Sequence, residues 1–160
     1  MSIPIFTVAN CPTFKKCTLA YGHFNSVHPG HIRYLKNAAS KGESLIVALL
    51  PDKIISNKKS YKFSQIERAE SLTAINIIDG ILLLEDKKNA LENAIRKLKP
   101  NYLVLGKEFE NKEDPEIKSA LNIMKKQGLK VEFHAGEIRY ASTNLLDNTE
   151  SDIEEENKIE

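Results

Sequence analysis

The sequence predicts an α/β domain built on a doubly wound, mainly parallel five-stranded sheet with helices on both faces. Three observations carry this reading. Short apolar runs of strand length alternate with segments whose apolar residues recur at helical spacing. The helical segments are long enough to serve as right-handed crossovers between parallel strands. The first strand also runs through a glycine turn into a helix, and ligands of such sheets sit beyond the carboxyl ends of the strands. That turn is Gly22 to His31, reading GHFNSVHPGH.

The elements follow in order. Thr18 to Tyr21 is the first strand, and His31 to Ser40 is the helix after it. Pro29 suits the opening of that helix, because its fixed φ is helical and its missing N–H would have no intrahelical partner there. Gly42 closes it. Ser44 to Leu50 is the second strand. Ser64 to Ile77 is the next helix, opened by the Ser64–Glu67 capping box, with Ile66, Ala69 and Leu72 on one face. Asp79 to Leu84 is the third strand. Leu91, Ala94, Ile95 and Leu98 then recur at helical spacing until Pro100 stops the run. Asn101 to Leu105 is the fourth strand. Asp114 and Pro115 start a helix with Ile117, Leu121 and Met124 inward and Gly128 at its end. Lys130 to Ala135 is the fifth strand. The alternation predicts a Rossmann-like architecture.

Composition bounds the organisation. With 160 residues, 41% of them hydrophobic, the chain suits one domain with a proper core rather than two. The expected division is an N-terminal extension over 1–17, the domain over 18–146, and an acidic tail over 147–160. That tail is expected to be disordered or a linker to a further domain. It carries −6, leaving the rest at +7 within a net +1. A moderately basic body fits small anionic substrates, and neither nucleic acid nor membrane is an expected partner. No apolar run approaches the roughly 20 residues that span a bilayer, and no signal-peptide layout opens the chain, so a cytoplasmic setting is expected. Cys11 and Cys17 match neither a disulfide framework nor a usual zinc spacing, and no protein-built metal site is expected.

The glycine turn carries the chemistry. It places two imidazoles, His28 and His31, at the opening of a helix, where free N–H groups and the positive end of the dipole favour an anion. Gly30, lacking a side chain, lets a bulky anion approach the backbone. A strand that enters a helix in this way is suited to a triphosphate.

The pattern GxFxxxHxGHxxxL, carried by Gly22, Phe24, His28, Gly30, His31 and Leu35, resembles the HxGH nucleotidyltransferases. The resemblance is to their cytidylyltransferase-like group, which includes glycerol-3-phosphate cytidylyltransferases and heptose 1-phosphate adenylyltransferase domains. It extends over Thr18 to Leu146. Tyr21, Gly22 and Phe24 match the YGxF of the glycerol-3-phosphate enzymes. Glu67 and Arg68, followed by Ile78 and Asp79, resemble a shared ERxxxL…VD segment. Leu105 to Phe109 resembles a glycine-acid-aromatic turn, and Ser142 with Thr143 resembles the IST(T) element that meets nucleotide phosphates.

The resemblance implies a reaction in which an acceptor phosphate attacks the α-phosphorus of a nucleoside triphosphate and pyrophosphate departs. The implied catalytic residues are His28, His31, Lys58 and Lys59. The implied nucleotide site comprises Tyr21, Gly22, His23, Phe24, Gly30, Arg68, Gly106, Ser142 and Thr143, with Asn25 and Arg139 toward the acceptor. Phe109 and Tyr140 are candidates either to stack on a base or to fill the core. Mg²⁺ is expected to bridge triphosphate oxygens with little protein ligation. Asn25 stands where the family usually has aspartate. The YGxF turn favours CTP, with a small phosphorylated or phosphonylated alcohol or sugar as acceptor. The alternatives are an ATP-dependent heptose 1-phosphate adenylyltransferase and, in another class, a nucleotide-binding regulatory module without turnover. A homodimer is expected from the resemblance alone.

Overall fold

The computed structural model describes residues 3–52, 63–110 and 113–134. Its strands are β1 (Ile5–Phe6), β2 (Cys17–Gly22), β3 (Ser44–Leu49), β4 (Gly80–Leu83), β5 (Tyr102–Gly106) and β6 (Lys130–His134). The helices are α1 (Pro29–Ala39), α2 (Gln65–Leu72), α3 (Ala90–Leu98) and α4 (Pro115–Lys126). All strand pairs are parallel, in the order β1-β4-β3-β2-β5-β6.

The sheet is doubly wound because alternate strand residues face opposite sides. On one face Ala20, Val47, Ile81 and Val104 pack with Tyr34, Leu35 and Ala38 of α1 and Ala69 and Leu72 of α2. On the other face Leu19, Ile46, Leu82 and Leu103 pack with Leu91 and Ile95 of α3 and Ile117 and Met124 of α4. The chain moves from β2 through β3 to β4 in one direction, then returns to lay β5 on the other side of β2. The order therefore reverses between β2 and β5.

Six strands stand where five were expected, because part of the presumed N-terminal extension joins the sheet. Ile5 pairs with Ile81 and Phe6 with Leu82. Phe6 stacks on Phe14 at 5.7 Å. Gly80 makes room for both rings, since a Cβ there would lie 3.0 Å from Phe6 and 3.1 Å from Phe14. Two paired residues are too few to leave a periodic signal in the sequence.

Helix α2 ends earlier than its apolar spacing suggests. The Thr73 hydroxyl donates to the Glu70 carbonyl at 2.5 Å, and the chain turns so that Ile78 enters the core. Ile66 does not share the buried face with Ala69 and Leu72. It is 53% exposed, and Arg68 occupies the inner face in its place. In α4 the buried set is Ile117, Ala120, Ile123 and Met124, with Leu121 half-buried.

Candidate active site

The site begins where β2 and β5 part. Their pairing ends at Ala20 and Val104, while β2 stays with β3 as far as Gly22 and β5 stays with β6 as far as Gly106. The Tyr34 hydroxyl fills the opening. It accepts from the Tyr21 N–H at 3.0 Å and donates to the Val104 carbonyl at 2.5 Å, tying the diverging strands to α1.

Beyond Gly22 the chain doubles back tightly. Phe24 sits at φ 52°, a left-handed conformation that costs an aromatic residue free energy and is found where surrounding structure imposes it. Its ring is buried, and a Cβ on Gly22 would come within 2.8 Å of it. That ring lies 5.2 Å from His31 and 6.4 Å from Tyr34, so it props the first turn of α1.

The helix opens two residues before the expected His31, with His28 as N-cap and Pro29 first inside. His28 Nδ1 accepts from the Gly30 N–H at 3.0 Å, and His31 Nδ1 accepts from the His28 N–H at 3.2 Å. The rings lie 4.1 Å apart. An Nδ1 that accepts a hydrogen bond is unprotonated, so each neutral ring carries its proton on Nε2.

The loop before α1 is held from behind by Arg68, whose side chain is buried. Its NH1 donates to the His23 carbonyl at 2.8 Å, its Nε to the Phe63 carbonyl at 3.2 Å, and its NH2 to Asp52 at 3.0 Å. One guanidinium thus joins the loops that follow β2 and β3 to the start of α2.

These elements enclose a cleft of about 300 Å³ at the carboxyl ends of β2, β5 and β6. Of the sequence-predicted residues, Tyr21, Gly22, His23, Phe24, Asn25, His28, His31 and Gly106 line it. Gly30 and Arg68 lie behind the lining, the first inside the capped turn and the second buried under the loop. Lys58, Lys59, Arg139, Ser142, Thr143 and Tyr140 lie outside the described residues, as does the acidic tail. Phe109 faces the cleft and meets Tyr21 edge-on at 5.4 Å, so it both lines the site and packs against its wall.

Sequence reasoning passed over Ser26, Tyr34, Glu108 and His134 as site residues. His134 closes β6 opposite Gly106, so all four histidines of the chain line one cleft. The Glu108 carboxylate folds over Gly106, where a Cβ would meet its Oε1 at 1.6 Å. Asn25 Oδ1 is buried without a hydrogen-bond donor among the described residues, leaving an acceptor at the cleft.

No helix among the described residues is long and apolar enough to cross a membrane. The cytidylyltransferase-like family model matches residues 19–146. An FAD synthase from Pyrococcus abyssi is 34% identical over 113 residues, covering 69% of this chain and 73% of that protein. A bifunctional HldE protein from Campylobacter curvus is 35% identical over 102 residues, or 62% of this chain. The match spans 21% of the length of that relative. A lipopolysaccharide core biosynthesis protein from Thermoplasma volcanium shares the fold, with a TM-score of 0.57 and 24% identity over 73% of this chain and 92% of that one. With the family match running from β2 through the whole sheet beyond it, this chain belongs to the cytidylyltransferase-like family of nucleotidyltransferases.

Proposed function

We propose that the protein transfers a nucleoside monophosphate from a nucleoside triphosphate to a small phosphorylated or phosphonylated alcohol or sugar, releasing pyrophosphate. The observation that carries this reading is the mutual capping of His28 and His31, which fixes both imidazole rings in the wall of the cleft at the first turn of α1. The triphosphate lies against the N-terminal turn of α1. An acceptor phosphate oxygen attacks the α-phosphorus in line, a new P–O bond forms, and the bond to the β-phosphate breaks. The acceptor is already a nucleophile at pH 7, so no general base is needed. Catalysis is the placing of two anions together and the neutralising of charge as it builds. Lys58, Lys59, Arg139, Ser142 and Thr143 are part of this proposal as further phosphate-binding groups. Arg68 enters it as a positioning residue, acting through the His23 carbonyl.

Among the described residues no three His, Cys, Asp or Glu side chains gather as a metal site. The acceptors facing the cleft are the Asn25 amide oxygen and the Glu108 carboxylate, a set that fits a divalent cation held mainly by triphosphate oxygens and water. When bound, Mg²⁺ supplies charge neutralisation on the triphosphate.

The YGxF turn supports CTP as the nucleotide. A second reading, with ATP, is favoured by the relatives: FAD, the product that one of their names states, is an adenine dinucleotide. Separate calorimetric titrations with CTP and ATP decide between them, and pyrophosphate release over a panel of phosphorylated acceptors tests the reaction. Binding without release from any acceptor would overturn it. The family resemblance also brings a homodimer into the proposal, and the cytoplasmic setting expected from the sequence is part of it.

A further inference from the structure

A second cavity, of about 470 Å³, lies between the 3₁₀ turn Val8–Asn10 and α3. It is distinct from the cleft and shares no lining residue with it. One wall, Val8 and Ala9, comes from residues that precede the family match at residue 19.

We propose that this cavity binds a small amphiphilic anion, an apolar body bearing one anionic group. Its size falls within the roughly 300–1,000 Å³ of small-molecule sites. Val8, Ala9, Leu84 and Ala90 make an apolar floor. Val8 packs against the core cluster that contains Leu84 and Ala90, so the floor is fixed rather than improvised. The charged groups in the wall are Glu85, Lys87, Arg96 and Lys97, an excess of two positive charges. Lys87 is paired with Glu85 at 3.1 Å and Arg96 with Glu92 at 2.9 Å. Lys97 has no carboxylate within ion-pair distance among the described residues. An apolar floor beside a cation with no carboxylate partner among the described residues matches a ligand with the complementary arrangement.

The test uses the full chain labelled with ¹⁵N, titrated in parallel with heptanoate and with 1-heptanol, which differ in charge on the same apolar body. Heptanoate is expected to give saturable amide shifts centred on Val8, Ala9, Asn93 and Lys97. Lys97 is exposed, so Lys97→Gln leaves the fold intact. That variant is expected to weaken heptanoate about fivefold, the scale of one exposed charge pair, and to leave heptanol unchanged. Shifts that do not saturate would overturn the proposal. So would shifts centred on His28 and His31, or an equal response of the variant to both probes. The proposal does not rest on nucleotidyl transfer, which is tested separately by pyrophosphate release.

Discussion

His28 and His31 cap one helix reciprocally, each through Nδ1, the first onto the Gly30 N–H and the second onto the His28 N–H. Most capping boxes use short oxygen side chains for this work. Imidazole performs it with one nitrogen and carries a second on the far side of the ring. The two roles are therefore separable by substitution.

His28→Asn keeps a good N-cap acceptor and removes the distal N–H, whereas His28→Ala removes both. Thermal melting should find the asparagine variant close to the parent and the alanine variant about 1 kcal/mol less stable. Pyrophosphate release should fall on the order of 10²-fold or more in both, the scale of one lost transition-state donor. An asparagine variant with full turnover would make His28 a cap and nothing more.

Arg68→Lys keeps the charge but offers one nitrogen where the fork used three. Urea denaturation should register a loss of about 2 kcal/mol, because the part-buried carbonyls of His23 and Phe63 lose their charged donor. Nucleotide affinity should weaken as well, since the His23 loop lines the cleft. Asp52→Asn provides the contrast. The Asp52 side chain is 59% exposed, so its removal from the ion pair should cost less than about 1 kcal/mol. Equal losses in the two variants would place the energy in the ion pair instead of the carbonyl clamp.

How far the sequence reveals this molecule depends on how local each signal is. The runs at Ser44 and Asn101 are legible as strands because burial on both faces demands continuous apolar residues. The β1 pairing is not, since Ile5–Phe6 has a place in the sheet only when Gly80 and Phe14 receive Phe6. Arg68 is picked out by family resemblance, yet its work behind the loop depends on burial that helix periodicity assigns to Ile66. His134 has no neighbouring motif. Its place in the cleft arises from a register, opposite Gly106, between strands separated by α4. Thus the histidine corner, contained in ten consecutive residues, is readable from the chain, while the β5–β6 wall becomes visible only through pairing.

Burial pushes the Cys17 thiol up from 9.0 to about 11. In the unfolded chain the thiol ionises near its ordinary value, so the unfolded state gains stability first as the pH rises. The contribution to folding is therefore complete below about pH 9 and is lost as the pH climbs toward 11. Urea midpoints for the parent and Cys17→Ala, measured at steps from pH 8 to 11, should converge over that window, because the variant lacks the group. Parallel curves would show that the thiol does not ionise differently in the two states.

Tyr34→Phe tests whether the opening of the sheet is held by a single hydroxyl. The β2–β5 ladder stops at Ala20 and Val104, and the hydroxyl supplies the partner for both the Tyr21 N–H and the Val104 carbonyl. Phenylalanine fills the same space, so packing against Phe24 and the core survives and the loss falls on two buried backbone groups. A cost of about 1–3 kcal/mol is expected in thermal or urea denaturation. Because Tyr34 also lines the cleft, calorimetry should record weaker nucleotide binding even at temperatures where the variant is fully folded. A variant with unchanged stability would mean that water replaces the hydroxyl between the strands, and the parting of β2 and β5 would then be set by the loops beyond Gly22 and Gly106 rather than by α1.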